Sequence, residues 1–109
     1  MTKWVKTVQS DIAGIPTPSG NGTPATPSTY SVTGSSGQAV ASNATRKGLV
    51  IINLGTVNVS FGCGTTAALN SGITLTPNGT WVMDQFTFTT SAINAICSTT
   101  STLSIQEYS

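Results

Sequence analysis

The pattern of hydrophobic and polar residues divides the chain near residue 37. Residues 1–37 hold four of the five prolines together with many Gly, Ser and Thr, a composition typical of an extended linker. Most of the aliphatic and aromatic side chains follow in residues 38–109. We therefore predict two parts, an extended Pro/Gly/Ser/Thr-rich N-terminal arm over residues 1–37 and a folded body over residues 38–109.

The first half of the body has the pattern of strands joined by polar loops. Residues 38–42 form a weak first strand, and residues 49–54 form a nearly continuous apolar run. Such a run favours a strand that is buried on both faces. Val57, Val59 and Phe61 then alternate with polar residues, which is typical of a half-buried antiparallel strand.

The second half of the body is predicted to contain two pairs of strands. Pro77-Asn78-Gly79 is a turn sequence, because Pro presets one backbone angle and Asn-Gly tolerates positive φ. We predict that it joins residues 72–76 and 80–83 in a hairpin. A Ser/Thr turn separates residues 92–97 from residues 102–107, and these segments are predicted to form the final pair.

The fold class follows from this spacing of strands and turns. Roughly six to eight short strands with regular turn signals are typical of a sandwich, a jelly roll or a small barrel. The prediction is an all-β fold, a small antiparallel β-sandwich or jelly-roll-like body with the arm attached. Trp81 and Met83 are expected on one face, with Phe86 and Phe88 joining them after a bend around Asp84.

Composition and charge exclude several classes of protein. Charged residues make up 6% of the chain, the net charge is +1 and there is no histidine. This balance offers no electrostatic surface for nucleic acid or for an acidic membrane. Thr and Ser occupy 34 positions while the best helix formers are scarce, which argues against a helical bundle. So little charge also favours association with protein, including a homo-oligomer, dimer or trimer.

The N-terminal sequence favours a protein made in a reducing cytoplasm. No apolar run follows Lys3 and Lys6 as a secretory signal would require, and no segment approaches the length of a membrane span. Under these conditions Cys63 and Cys97 are expected to be buried small hydrophobes rather than a disulfide.

The search for catalytic chemistry favours a protein that is not an enzyme. Without histidine the most common general base is absent. A glycosidase-type pair would need Asp84 to face Glu107, and a nucleophilic cysteine would have only Lys47 in the body as a nearby base. Two cysteines without histidine also cannot form a four-ligand zinc site. We predict no catalytic residue, no metal site and no cofactor.

The arm supplies the first candidate contact with a partner. Apolar side chains recur there at spacings of three and four, which is the pattern of a short amphipathic turn. The residues are Trp4, Val5, Val8, Ile12 and Ile15.

Two further features have both a structural and a functional interpretation. Arg46 and Lys47 precede the apolar run, and they either remain solvated to prevent aggregation or form salt bridges with an acidic neighbouring subunit. Trp81 is either a packing residue of the core or interface or part of a platform on which a sugar stacks.

Several segments of the body resemble small bacteriophage virion proteins. The similarity covers about residues 38–107, and its segments are Asn43-Ala-Thr-Arg-Lys-Gly-Leu-Val-Ile-Ile-Asn-Leu-Gly55, Val59-Ser-Phe-Gly62, Gly72-Ile-Thr-Leu-Thr-Pro-Asn-Gly-Thr-Trp81 and Ala92-Ile-Asn-Ala-Ile96. The pattern is similar to the compact β modules of capsid decoration (cement) proteins and of head fibres. The arm lies outside the resemblance.

The resemblance implies a structural protein of the virion. Its partner would be the major capsid protein, whose outer surface it would bind to stabilise the junctions between capsomers. It would lie on the capsid surface after assembly in the cytoplasm of the bacterial host. The alternative is a host-receptor or sugar-binding module of a tail or head fibre.

Overall fold

Eight β-strands form the part of the chain that the computed structural model describes, residues 22–109. No helix occurs in this range, and every strand pair is antiparallel. The strands are β1 (Ser28–Val32), β2 (Gly37–Val40), β3 (Gly48–Asn53), β4 (Val59–Cys63), β5 (Thr74–Leu75), β6 (Thr80–Val82), β7 (Ile93–Cys97) and β8 (Ser101–Tyr108). The all-β prediction is confirmed.

The strands form two four-stranded sheets with the connectivity of a jelly roll. The first sheet has the order β1-β8-β3-β6 and the second has the order β2-β7-β4-β5. Strand β1 therefore pairs with β8, β2 with β7, β3 with β6 and β4 with β5. The chain behaves as one long hairpin rolled into a sandwich, which is how a jelly roll protects most of its strand edges.

The core lies between the inner faces of the two sheets. Along β3, and along β8 as far as Ile105, every second residue is buried, as the alternation of side chains in a strand requires. Across the sandwich, the ring of Phe61 packs on that of Trp81 with 5.5 Å between centroids and a tilt of 48°. The core residues with no measurable exposure are Val32, Ile51, Val59, Ile93, Ala95, Cys97 and Leu103.

The folded body begins earlier than residue 38. Strand β1 lies within the segment assigned to the arm, and it pairs along β8 with Val32 fully buried. Residues 23–25 continue this pairing through backbone hydrogen bonds to Glu107 and Ser109. The Ser/Thr-rich composition concealed a strand, because hydroxyl residues serve well on its exposed face.

The two predicted pairs of strands in the second half of the body are wrong. The turn at Pro77-Asn78-Gly79 is present, with Asn78 at a φ of 64° and the Gly79 N–H donating to the Thr76 carbonyl at 2.8 Å. It connects β5 of the second sheet to β6 of the first. Likewise β7 and β8 belong to different sheets. Both turns cross between the two layers instead of closing a hairpin.

The outer faces of the two sheets differ in what covers them. Residues 64–73 fold back over β4, so that Ser60 and Gly62 are buried on the outer face as Val59 and Phe61 are on the inner face. The Ser60 hydroxyl accepts from the Asn70 N–H at 2.9 Å and bonds to the Thr74 hydroxyl. The strand predicted to be buried on both faces, β3, instead alternates between buried and half-buried residues.

Candidate functional site

The loop after β6 displays two aromatic side chains. Phe86 is 85% exposed and Phe88 is 43% exposed, and Val82 at the end of β6 is 60% exposed. We call residues 83–92 the aromatic loop. A side chain as large and as exposed as that of Phe86 is a candidate contact for a partner.

The first half of the aromatic loop is held by Asp84. Its Oδ1 accepts hydrogen bonds from the backbone N–H groups of Phe86 and Thr87, both at 2.9 Å. The Thr87 hydroxyl oxygen in turn accepts from the Asp84 N–H at 3.1 Å and from Nε1 of Trp81 at 3.2 Å. The N–H groups of Thr87 and Phe86 lower the pKa of Asp84 from its ordinary value of 3.8. The turn thus stabilises the carboxylate form of Asp84, which in turn fixes the backbone beneath Phe86.

The second half of the aromatic loop is held by a buried arginine. Nη1 of Arg46 donates to the carbonyl oxygens of Thr89 at 2.8 Å and Ser91 at 2.9 Å. Its Nη2 donates to the Ala41 carbonyl at 2.7 Å, and its Nε donates to Oε2 of Glu107 at 2.7 Å. The Arg46 side chain has no exposed surface. It therefore acts as an internal clamp on the loop.

The predicted partner contact at Arg46 is wrong, because this side chain is buried inside its own chain. Its acidic neighbour is Glu107 of the same molecule, which leaves the guanidinium neither solvated nor available to another subunit. Lys47 is half-buried, and its backbone N–H donates to the Tyr108 carbonyl at 2.7 Å. A contact between the Lys47 side chain and a partner stays a prediction.

Trp81 lies in the core, which favours packing over sugar stacking. It is 6% exposed, and its ring contacts Phe61. The expectation that Phe86 and Phe88 share its face is wrong, because the Asp84 turn directs them outward to solvent. The sequence signal for the outward direction of Phe86 and Phe88 is the short segment from Asp84 to Thr87, which is typical of a turn capped by its own aspartate.

The predicted arm contacts lie outside the described residues. They are Trp4, Val5, Val8, Ile12 and Ile15, and their role stays a prediction.

The carboxyl and thiol side chains considered for catalysis lie in different environments. Glu107 pairs with Arg46, whereas Asp84 caps the aromatic loop. Both cysteines are free, Cys97 buried and Cys63 exposed at the end of β4, so burial was wrongly expected for Cys63. Partial shielding raises the pKa of the Cys63 thiol, and the positive charge of Arg46 opposes that shift.

Two further observations apply to residues 22–109. No three side chains of His, Cys, Asp or Glu there are grouped so that they could hold a metal ion. The same range contains no helix with the length and hydropathy to cross a membrane.

No protein-family model matches the sequence, and no curated protein matches it at a significant level.

Proposed function

We propose that this chain is a decoration protein of a bacteriophage capsid, which binds the outer surface of the major capsid shell and stabilises the junctions between capsomers. The aromatic loop and the arm are its contacts with the shell. The protein acts by being bound, and no chemical step is assigned to it.

The observation that carries this proposal is the exposed Phe86 on a loop that is fixed at both ends. A few well-placed aromatic anchors supply most of the binding energy in a typical protein interface. A loop that is already ordered loses little conformational entropy when it binds. Because Asp84 and Arg46 hold the loop, Phe86 is presented in one geometry to a hydrophobic pocket on a partner.

Two further arguments support the proposal. Segments of the body resemble phage virion proteins, and the jelly roll is used by capsid and lectin domains. The second argument is an analogy of fold. The buried position of Trp81 weakens the alternative of a sugar-binding fibre module, which an exposed Trp81 would have favoured.

The experiment that tests the proposal is quantitative mass spectrometry of particles purified from cells that produce this chain. The ratio of this chain to the most abundant shell protein is the measured quantity. A ratio near one, or a simple fraction of one, is expected for capsid decoration. A few copies for each particle would favour the fibre alternative, and absence from particles would overturn the virion proposal.

A pair of matched variants tests the aromatic loop as a contact. Phe86→Ser is expected to weaken co-sedimentation with particles by about 30-fold, the effect of losing roughly 2 kcal/mol at an interface hot spot. Leu69→Ser is the control, since Leu69 is 48% exposed and lies in the segment that covers the other sheet. Equal binding by the two variants would exclude the aromatic loop as the contact.

A further inference from the structure

The outer face of the first sheet carries an apolar stripe that is open in the described part of the chain. The aliphatic residues on this face are Val50 and Ile52 of β3, Val82 of β6, and Leu54 just beyond β3. Val50 lies directly opposite Val82, and Ile52 lies between Thr80 and Ser104. Val82 is 60% and Leu54 is 53% exposed. We call these four residues the outer stripe.

The sequence of β3 is that of a strand covered on both sides. Its residues from 49 to 52 are all large and apolar, as in strands that are buried on both faces of a sheet. The inner-face residues Leu49 and Ile51 lie in the core. The second sheet already has a cover on its outer face, residues 64–73, whereas no described residue occupies the equivalent place over the outer stripe.

The N-terminal segment joins the sandwich at one end of the outer stripe. A Cβ at Gly22 would lie 3.0 Å from the Cβ of Tyr108, and the Tyr108 side chain lies over Gly48. By the alternation of β3, Gly48 is on the same face as Val50 and Ile52. Residues 1–21 therefore connect to the body beside the first position of this face.

The length of the N-terminal segment is sufficient to reach the whole stripe. From Gly48 to Leu54 the strand rises by about 20 Å at roughly 3.4 Å for each residue. Residues 15–21 alone span up to about 23 Å when extended, at roughly 3.3 Å for each residue. This length is enough for the apolar residues of the arm, from Trp4 to Ile15, to reach the outer stripe.

We propose that the arm of the free protein docks on the outer stripe of its own chain through Val8, Ile12 and their apolar neighbours. The short connection at Gly22 favours the arm of the same chain over that of a second copy. This inference goes beyond the proposed function, since it holds for the protein in solution whatever its partner is. A partner that binds the arm must first displace it from the outer stripe. Binding then replaces the apolar contacts between the arm and the stripe with apolar contacts between the arm and the partner.

The test uses a photo-crosslinking benzoylphenylalanine placed at position 82 of the full-length chain. Val82 is exposed, and position 54 provides a second placement on the same stripe. Thr66 is the control position, because it is exposed on the cover of the other sheet. After irradiation of dilute protein, fragment mass spectrometry is expected to find crosslinks within one chain to residues 1–15, at least fivefold more from position 82 than from position 66.

A second variant makes the result specific to the apolar residues of the arm. Val8→Ser with Ile12→Ser is expected to reduce the crosslink yield from position 82 by at least fivefold, whereas Thr7→Ser with Gln9→Asn is expected to retain it. Unchanged yield in the first variant, equal yield from position 66, or crosslinks that join two copies would each overturn the proposal. None of these results depends on the presence of a capsid, so failure here is distinguishable from failure of the proposed function.

Discussion

At the scale of single residues, Arg46 shows that an arginine in a polar loop can be buried in its own chain instead of facing solvent or a partner. A guanidinium is buried only where its donors find acceptors, and here they find a carboxylate and backbone carbonyls. Its planar set of N–H groups suits this fan of acceptors better than the single ammonium of lysine would. The Glu107 carboxylate and the carbonyls of Thr89 and Ser91 are more than 40 positions away in sequence, so the pattern around Arg46 could not reveal them.

We expect Arg46→Ala to lower the free energy of unfolding by about 3–5 kcal/mol, because it leaves Glu107 and several carbonyls without their partner. Arg46→Lys keeps the charge but not the geometry, and an intermediate loss is expected. Urea unfolding followed by circular dichroism measures both. A loss below about 1 kcal/mol for the alanine variant, the range of an exposed ion pair, would contradict the internal role of Arg46.

Trp81 and Phe86 form a matched pair of aromatic residues that differ in burial. Trp81→Ala is expected to destabilise the sandwich by about 3–5 kcal/mol, since it removes a large side chain from the core. Phe86→Ala is expected to change stability by less than about 0.5 kcal/mol, since its ring is in solvent. Chemical denaturation of the two variants under the same conditions makes the comparison, and similar losses would contradict the assigned burial.

At the scale of elements, the sequence predicted where strands and turns occur better than it predicted which strands pair with each other. The turn at Pro77-Asn78-Gly79 has a local chemical cause and was identified. Whether its flanking strands pair with each other or with distant strands depends on contacts across the chain, such as β3 with β6 and β4 with β5. Strand β1 was missed for a related reason, because the residues of β8 that pair with it lie 69 to 77 positions away.

The candidate site shows the same division between local and distant causes. The bend at Asp84 could be identified from adjacent residues, although the directions of Phe86 and Phe88 were wrongly assigned. The Arg46 clamp on Thr89 and Ser91 could not, since it joins loops that are more than 40 positions apart. Sequence patterns therefore identify local turns, whereas the packing of the sandwich determines which side chains face the core and which face solvent.

The segment that covers β4 can be tested with a single methyl group. A Cβ at Gly62 would lie 2.9 Å from the backbone N of Ala67, so residues 64–73 would have to move. Gly62→Ala is expected to lower the free energy of unfolding by about 1–3 kcal/mol, as overpacking of a close contact does.

Gly48→Ala is the control for that substitution. A Cβ at Gly48 would meet only the Tyr108 side chain, at 3.8 Å, and we expect it to leave stability nearly unchanged. Thermal unfolding of the two variants should therefore separate them. If the midpoint falls equally in both, the close cover over β4 is contradicted.

The Asp84 cap predicts a dependence of the aromatic loop on acid. The folded pKa of Asp84 lies below its ordinary value of 3.8, so the charged form stabilises the loop above that value. This contribution is lost as the pH falls through the lower, folded pKa. NMR titration should give a midpoint for the Asp84 carboxyl below 3.8, with weaker protection of the Thr87 amide against exchange, relative to its intrinsic rate at the same pH, once Asp84 is protonated.

Asp84→Asn is the control for this titration. Its side-chain oxygen can still accept from the N–H groups of Phe86 and Thr87, but it does not ionise, so the change in Thr87 exchange over the same range should disappear. A midpoint at or above the ordinary value in the native protein would contradict the cap.

At the scale of the whole molecule, the arm and the sandwich are expected to be separable. All eight strands lie within residues 28–108, so deletion of residues 1–15 should preserve the β-sheet circular dichroism spectrum. Co-sedimentation with particles should be lost with Trp4, Val5, Val8 and Ile12. Binding at the level of the full chain would contradict the assignment of the arm as an anchor.

The position of β8 within the first sheet has a consequence for how the protein is made. This strand lies between β1 and β3, yet it is the last of the eight to leave the ribosome. Until it emerges, no strand lies between β1 and β3, so the first sheet is divided into β1 and the pair β3-β6. A nascent chain that stops short of residue 108 therefore exposes unpaired strand edges, which are sites of aggregation. We expect folding to be completed only after synthesis has passed the final strand, which makes the unfinished chain a client for chaperones.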